Sequence, residues 1–538
     1  MKRIYIIIWG LVFPFLVSCN KDFLEVSPRS ELSDESFFRN QEDAEQALTA
    51  LYNTFLIDDK LLIWNVLAYN TWSDDMVNVW RGSDYNTHAA GTYAADSWFI
   101  YDMWDRFYTY IRRANVFLNN INKVDMPDAA RKRLIAEAKF IRAYYYHNLV
   151  MLYGGVPIVD KPLSLNELKI PRNKRNEVID FIITDLNSYP YLADNPTQKG
   201  RASKGAALAL KSRVLLYEYR FEEAADAAQQ VMDLGIYDLF RANGTQSYLT
   251  LHNIGNENNN EVIFDIQFIE NILGGPHQLW LNLPSMAGWG ASNPLQSIVD
   301  AFEDKQGKPI NVSTIYDPNN PYLNRDPRLD MAIIRHGSSV TDYLGNTKTV
   351  YTLTSSADNG GLSGFFVRKN ADPASFVPTL RSGLNYILIR YAEVLLNYAE
   401  AKNEFSGPDN TVYDAVNAVR NRVGMPNLPA NLTKSDMRER IRQERRVELC
   451  FEGLRTWDIK RWGIAPAVMN GPIYGALNPF TNQNILIESR NFDPAKNYLF
   501  PIPQRERDLI GSEILLQNPG YGNPVFRDDI WPKPEVFQ

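Results

Sequence analysis

A mostly α-helical fold, a tetratricopeptide-like repeat scaffold interrupted by an irregular, loop-rich and small-strand region, is what three features of this 538-residue sequence predict. Apolar and small residues recur at three- and four-residue spacing in long segments towards both ends of the chain. Two of those segments form a helix-turn-helix of about 34 residues with alanines at the contact positions. Between the helical parts, roughly 236–383, the periodicity stops and Asn, Gly and Pro take over, as in "NENNNE" and "DPNNPYLNRDP".

The N-terminus comes first. Lys2 and Arg3 precede an apolar run from Ile4 to Val17, shorter than the roughly 20 residues a membrane-spanning helix needs, so it reads as an export signal. The run ends in Leu16-Val17-Ser18-Cys19, a lipobox, in which Cys19 is acylated and becomes the first mature residue. An ordinary cleaved signal with a chance cysteine is the alternative. Each buried CH₂ of a lipid chain contributes roughly 0.8 kcal/mol, so a multiply acylated cysteine holds the protein to a membrane without spanning it. Loss of residues 1–18 removes two positive charges and moves the net charge from −7 to −9. That acidity argues against a nucleic-acid partner. Only two cysteines exist, so acylated Cys19 leaves Cys450, in the apolar run Val447–Phe451, without a disulfide partner and suited to burial.

The mature chain falls into three parts. Residues 19–235 form an N-terminal helical part that includes a loop region at 58–97. Helical patterns cover Gln41–Leu56, Ala95–Val124, Arg133–Tyr153 and Asn176–Leu192, followed by the pair Ala207–Tyr217 and Ala224–Val231. Tyr144, Tyr145 and Tyr146 cannot share one helical face, although at least one continues the apolar stripe. Residues 236–383 are the inserted part, with a strand in "EVIFDIQF" and short strands at Thr347–Thr354 and Gly364–Lys369. Residues 384–538 return to helix: Ile389 to Ala399, Val412 to Val423, and Ser435 to Lys460. Each helix pair leaves a face bare unless it stacks on a neighbour, which predicts a curved right-handed frame. Functional surfaces usually sit on inserted loops.

Several stretches resemble the SusD/RagB family of surface lipoproteins, in order and from end to end: the lipobox followed by "DFLEVSP", then "RAYYYHNLVMLYGGVPIV", "SKGAALALKSRVLLY", "NRDPRL", "IRYAEVLLNYAEAKN", "VNAVRNRVGMP", "IRQERRVELCFEGLRTWDIKRWG" and the late "PIP". The resemblance implies a tetratricopeptide-like half and an irregular half that carries the binding site. It also implies an outer-membrane, surface-exposed lipoprotein that captures oligosaccharides for a SusC-like TonB-dependent transporter. A peptide-binding RagB-like role is the alternative. A glycan site calls for planar aromatics flanked by Asn, Asp and Arg, a peptide site for a strand edge and apolar pockets.

Little in the sequence asks for catalysis. Glu444, Glu448 and Glu452 lie at i, i+4 and i+8 among Arg442, Arg445, Arg446 and Arg455, which reads as an ion-pair network on a packed helix. Trp457, Trp462 and Trp104 read as packing anchors. The histidines are scattered with no HExxH spacing, and there is no GxSxG, Walker loop or GxGxxG. A glycosidase needs only two carboxylates that the fold brings together, which no linear pattern reports. The expectation is a binding protein, not an enzyme, without a cofactor. A calcium site at Asp317, Asn319 and Asn320 is a weak alternative to a simple turn.

The binding residues are sought among exposed aromatics. An indole covers the C–H face of a sugar while amides, carboxylates and guanidinium groups bond its hydroxyl rim. Burial of about 50 Å² by stacking contributes about 1 kcal/mol, so several rings must act together. In "NTWSDDMVNVWRG", Trp80 aligns with the platform tryptophan that follows "DE" in family relatives, whereas Trp72, beside Asp74-Asp75, is expected to be buried. Arg81, Asp84 and Asn86 follow Trp80 and are candidates for bonding hydroxyls. Trp280 and Trp289, in the glycine-bearing "GGPHQLWLNLPSMAGWGASNP", complete the candidate site, and Trp64 and Trp98 are assigned to the core.

Overall fold

The computed structural model describes residues 38–56, 62–354, 358, 361–372, 382–528 and 531–537, so the export signal and Cys19 lie outside the described residues. The helical frame is built from α1 (Gln41–Tyr52), α2 (Leu62–Thr71), α3 (Asp84–Ala89), α4 (Trp98–Asn120), α5 (Asp128–Tyr153), α6 (Arg175–Leu186), α7 (Lys204–Tyr217) and α8 (Phe221–Asp233). After the irregular part, in which α9 (His277–Leu281) is a single turn, come α10 (Tyr391–Ser406), α11 (Asn410–Arg422), α12 (Lys434–Glu448) and α13 (Arg455–Arg461). None of the described helices is long and apolar enough to cross a membrane.

Local chemistry starts and stops these helices. Ser203 opens α7 by accepting from the Ala206 amide, Asp409 opens α11 and Thr433 opens α12 in the same way. Gly154 ends α5 with φ of 75°, a backbone conformation that disfavours a side chain. The alanines expected at helix contacts are there: Ala206, Ala207 and Ala209 of α7 and Ala224, Ala227 and Ala228 of α8 are buried. They bring the helices close enough for Ser212 Oγ to donate to the Ala224 carbonyl at 2.9 Å. Neighbours in the stack are α4 with α5, α5 with α6, α7 with α8, and α8 with α10, so the C-terminal helices close onto the N-terminal pair directly. Tyr144, Tyr145 and Tyr146 are all buried, because α5 is covered on every side from Phe140 to Tyr153.

Among the described residues the strands form two-stranded sheets only. β1 (Met76–Asn78) pairs antiparallel with β3 (Ser292–Pro294), and β2 (Val262–Ile266) with β8 (Tyr386–Arg390). β4 (Ile333–Ile334) pairs with β7 (Phe366–Val367), β5 (Ser338–Thr341) with β6 (Thr347–Val350), and β9 (Gly471–Asn478) with β10 (Gln483–Arg490).

Four expectations need correction. The region 58–97 is not a plain loop, since α2, β1 and α3 fall in it. The helix expected over Ser435–Lys460 is two helices, because the chain between them swings to meet α2. There Asn70 donates to the Phe451 carbonyl at 3.1 Å and accepts from the Gly453 amide at 2.7 Å, and a Cβ on Gly453 would lie 2.7 Å from Val66 Cγ1. The C-terminal part carries the β9–β10 hairpin, which the helical reading missed. Trp98 is 62% exposed, not core. It shares the outward face of α4 with Tyr101, Asp105 and Arg112, while Phe99, Met103, Trp104 and Phe107 face inward. Trp64's side chain lies outside the described residues.

Candidate ligand-binding site

The charged motif of the C-terminal half folds into a buried lattice. Arg328 holds Asp326 at 2.7 Å, Glu444 at 2.5 Å and Glu448 at 3.0 Å. Arg390 holds Glu261 at 2.8 Å, Glu448 at 2.6 Å and Glu452 at 2.6 Å, with Arg422 on Glu261 and Glu448 and Lys369 on Glu452. The expected partners were arginines of the same helix. The structure instead brings Arg328, Arg390, Arg420 and Arg422 from other elements, while Arg445 turns to Asp458 and Arg446 and Arg455 to Asp74. Burial alone would raise the Glu448 and Glu452 carboxyls. The surrounding cations outweigh it, holding Glu448 well below the usual range and Glu452 at about 2. These carboxylates stay charged and saturated, which suits a scaffold and not an acid–base pair.

Asp74 and Asp75 tie the segment that carries Trp72 and Trp80 to this lattice. Asp74 meets Arg455 and Arg446 at 2.8 and 3.0 Å, and Arg446 meets Asp75 at 2.6 Å. Just before them Trp72, 6% exposed, packs against Tyr69, His88, Phe99 and Phe500. Burial pushes the His88 imidazole down to about 4, so it stays neutral in this apolar stack.

Past β1 the chain turns outward. A Trp80–Ser83 turn, closed by Ser83 Oγ on the Trp80 carbonyl at 2.6 Å and by Gly82 at φ of 79°, presents the Trp80 ring 39% exposed. The partner segment of β1 supplies Trp289, 42% exposed, whose amide donates to the Leu279 carbonyl at 2.7 Å. Gly290 next to it allows the approach, since a Cβ there would meet the Phe366 ring at 2.5 Å. The two exposed indoles meet edge-to-face, centroids 5.5 Å apart and inclined at 65°.

Two of the six candidates do not face a ligand. Trp280 is fully buried: α9 turns it inward, its Nε1 donates to Ser292 Oγ at 2.7 Å, and its ring stands at 90° to Trp80, 4.9 Å away. Asn86 is 5% exposed and spends its amide on the backbone, donating to the Asn78 carbonyl at 2.9 Å and the Trp80 carbonyl at 3.2 Å and accepting from the Asn78 amide at 3.3 Å. Both position Trp80 without touching solvent. Arg81 is exposed but steadies the loop, with Nη2 on the Ile487 carbonyl at 2.8 Å. Asp84 is half-buried at the start of α3 and accepts weakly from Ser97 Oγ at 3.4 Å. Sequence reading missed Tyr85, whose ring backs Trp280 at 5.3 Å; its place one residue after Asp84 carried no distinguishing signal.

Asp317, Asn319 and Asn320, the residues of the calcium alternative, lie together in one turn. Asp317 accepts from the Asn319 amide at 2.9 Å and Asn320 Nδ2 at 2.7 Å, a side-chain-capped turn, and among the described residues no group of three or more His, Cys, Asp or Glu could hold a metal.

Stacked helices carrying an irregular part with an exposed aromatic pair define a helical-repeat protein with a loop-built surface site. The chain belongs to the SusD family, whose model matches residues 237–521, and residues 22–216 match a second model described as "Starch-binding associating with outer membrane". This is a family of starch- and glycan-binding proteins associated with the outer membrane. The chain is 30% identical to a SusD-like protein of Bacteroides fragilis, whose crystal structure aligns with a TM-score of 0.82 over 92% of this chain and 100% of that one. A laminarin-binding SusD-like protein is 26% identical, with a TM-score of 0.69 over 90% of this chain and all of its own. SusD-like protein P2 of Formosa agariphila is 26% identical over 97% of this chain and 100% of its own length.

Proposed function

We propose that this protein binds oligosaccharides at the Trp80–Trp289 pair while held at the cell surface by acylated Cys19, and delivers them to a SusC-like TonB-dependent transporter. The observation that carries the reading is the exposure of two touching indoles, each about 40% uncovered, over the buried ring of Trp280. Large aromatics are left in water by default only singly, so a paired and backed exposure suggests a ligand that covers it. Buried Trp280 fixes the Trp80 ring from behind, and Asn86 fixes its backbone, so little ordering remains to be done on binding. Arg81, which follows Trp80 directly, and Asp84, at the start of α3, are the nearby charged groups assigned to bond the hydroxyls of a stacked sugar. The anchor rests on the lipobox, and the transporter on family membership.

Titration of the domain from residue 20 onward against starch oligosaccharides, laminarin and a set of peptides tests the reading. Glycan binding without cleavage over hours is expected. Binding to peptides alone would replace this reading with the peptide-carrying one, and sustained turnover of a bound glycan would overturn the non-enzymatic role. For the anchor, Cys19→Ala is expected to leave an unlipidated protein in the soluble fraction when the transporter is absent; membrane partitioning of that variant would contradict it.

A further inference from the structure

Outside the Glu448 lattice, too, buried carboxylates of the helical frame are held by arginines: Glu393 by Arg213 at 2.6 Å, Glu400 by Arg461 at 2.6 Å and Asp185 by Arg142 at 2.7 Å. Asp265, in β2 and 5% exposed, is not. Gln267 Nε2 donates to its Oδ1 at 2.7 Å, and among the described residues its Oδ2 has no partner. Burial and the neighbouring Glu257 push the carboxyl up to about 6, and Lys199 opposes them only weakly. A buried acid without a cation is costly, and β2 keeps one where two clefts meet.

Asp265 lines both clefts. One, of about 100 Å³, is bordered by Ser203, Tyr237 and Asn260, and the other, of about 240 Å³, by Tyr52, Phe55 and Gln267. The loop 194–203 borders each of them, and through Gln198 and Arg201 it also borders a third cleft of about 780 Å³ along α1. That loop is fixed in place. Arg201 is paired with Glu45 and Glu137 at 3.0 and 3.1 Å and donates to Gln198 Oε1 at 2.8 Å. The Ala202 amide donates to the Tyr52 hydroxyl at 2.8 Å, and a Cβ on Gly200 would lie 2.5 Å from Gln267 Cγ, so the loop sits directly on the end of β2.

The lining selects a kind of ligand. Asp265 and Asp194 accept, Lys199 donates, and the amides of Asn195, Gln198 and Asn260 do both, a mixture that suits hydroxyl groups better than a group of fixed charge. Phe55 and Phe264 add an apolar wall beside Asp265. An apolar C–H face with a hydroxyl rim is the surface of a sugar ring. We infer that the clefts around the loop 194–203 are a second oligosaccharide site, in which Asp265 accepts from a sugar hydroxyl. None of its lining residues belongs to the Trp80–Trp289 site, and its assignment rests on this lining, not on that pair. Its rings are already buried, so less apolar surface is covered on binding and it is the weaker of the two sites.

The test is calorimetric titration of the mature chain from residue 20 onward with starch and laminarin oligosaccharides. Two sites per unsubstituted chain are expected. With Trp80→Ala and Trp289→Ala combined, one weaker site should remain, and adding Asp265→Asn should weaken it about tenfold or more, as loss of a hydrogen bond to a charged group does. Lys199→Ala, on the exposed face of the loop, should weaken the same site several-fold. Asp265→Asn is expected to melt no lower than the unsubstituted chain at pH 7, since it removes an unpaired buried charge and its amide oxygen can still accept from Gln267. A single site per unsubstituted chain that the tryptophan substitutions abolish overturns the second site. A lower melting temperature of Asp265→Asn with unchanged binding overturns it by making Asp265 structural. Peptides bound in the cleft to the exclusion of sugars overturn the ligand assignment. If the tryptophan variant binds as tightly as the unsubstituted chain and Asp265→Asn alone abolishes binding, the tryptophan reading fails and the cleft stands.

Discussion

The charge lattice around Glu448 and the tryptophan cluster around Trp80 are both dense in the groups that ordinarily mark a functional site, and one short segment joins them. At its Asp74-Asp75 end every carboxylate is met by an arginine and withdrawn from water; six residues later an indole stands 39% exposed on the same rigid backbone. The lattice is where the sequence is richest in motif. The cluster sits in a stretch that reads as ordinary loop. Motif density here reports what holds the frame together, and exposure of costly side chains on a fixed mount reports where the frame meets a partner.

The comparison breaks most visibly if the lattice is not structural. Arg390→Ala leaves Glu261, Glu448 and Glu452 buried with one cation fewer, and a broken buried pair costs about 3–5 kcal/mol. Chemical denaturation is expected to show that loss, with the glycan affinity of the folded fraction retained. Trp72→Ala is expected to lower stability by about 3–5 kcal/mol, since it empties a stack of four aromatic neighbours, and to affect binding only through unfolding. A stable Trp72→Ala protein with lost affinity would reverse the assignment of the two tryptophans.

Acid sharpens the same contrast. Burial opposes ionisation of Glu452 and Glu400, but Arg390 with Lys369, and Arg461 respectively, hold both at about 2 against an ordinary 4.5. Carboxyls so depressed contribute stability that is fully present above pH 4.5 and lost as pH falls through 2. Buried His88, His147 and His277, pushed by burial down to about 4, 3 and 3, begin the loss earlier, because the unfolded chain takes up those protons as pH falls below 6.5, so melting temperatures are expected to decline from about pH 6.5 and more steeply below 4.5. The smallest effect concerns Cys450, 1% exposed, whose thiol burial pushes up to about 11. In the domain lacking Cys19 it is the one thiol of the chain, and a thiol reagent at pH 8 is expected to label it only after denaturation.

The helical frame was legible because period is local: the alanines of α7 and α8 recur within a few residues of one another. What was illegible depends on distance or on which way a side chain turns. No spacing rule pairs Glu448 with Arg328, 120 residues away. Trp280 and Trp289 both sit beside glycines, yet α9 rotates one into the core and the strand partner of β1 holds the other out. Asn86 has the composition of a sugar-binding amide, and its amide is taken by the Asn78 and Trp80 carbonyls. The β9–β10 hairpin escaped because its register shifts at Asn484/Leu486 and Leu486/Glu488 spoil the alternation by which a strand is recognised.

Calorimetric titration of folded Trp80→Ala against a glycan that the unsubstituted domain binds decides whether the tryptophan pair forms the binding site. An affinity weakened about tenfold or more is expected, with a smaller fall in melting temperature than Trp72→Ala gives, because the Trp80 ring is 39% exposed without ligand and desolvated with it. Unchanged affinity in a folded Trp80→Ala protein would contradict it and remove the tryptophan pair from the binding site.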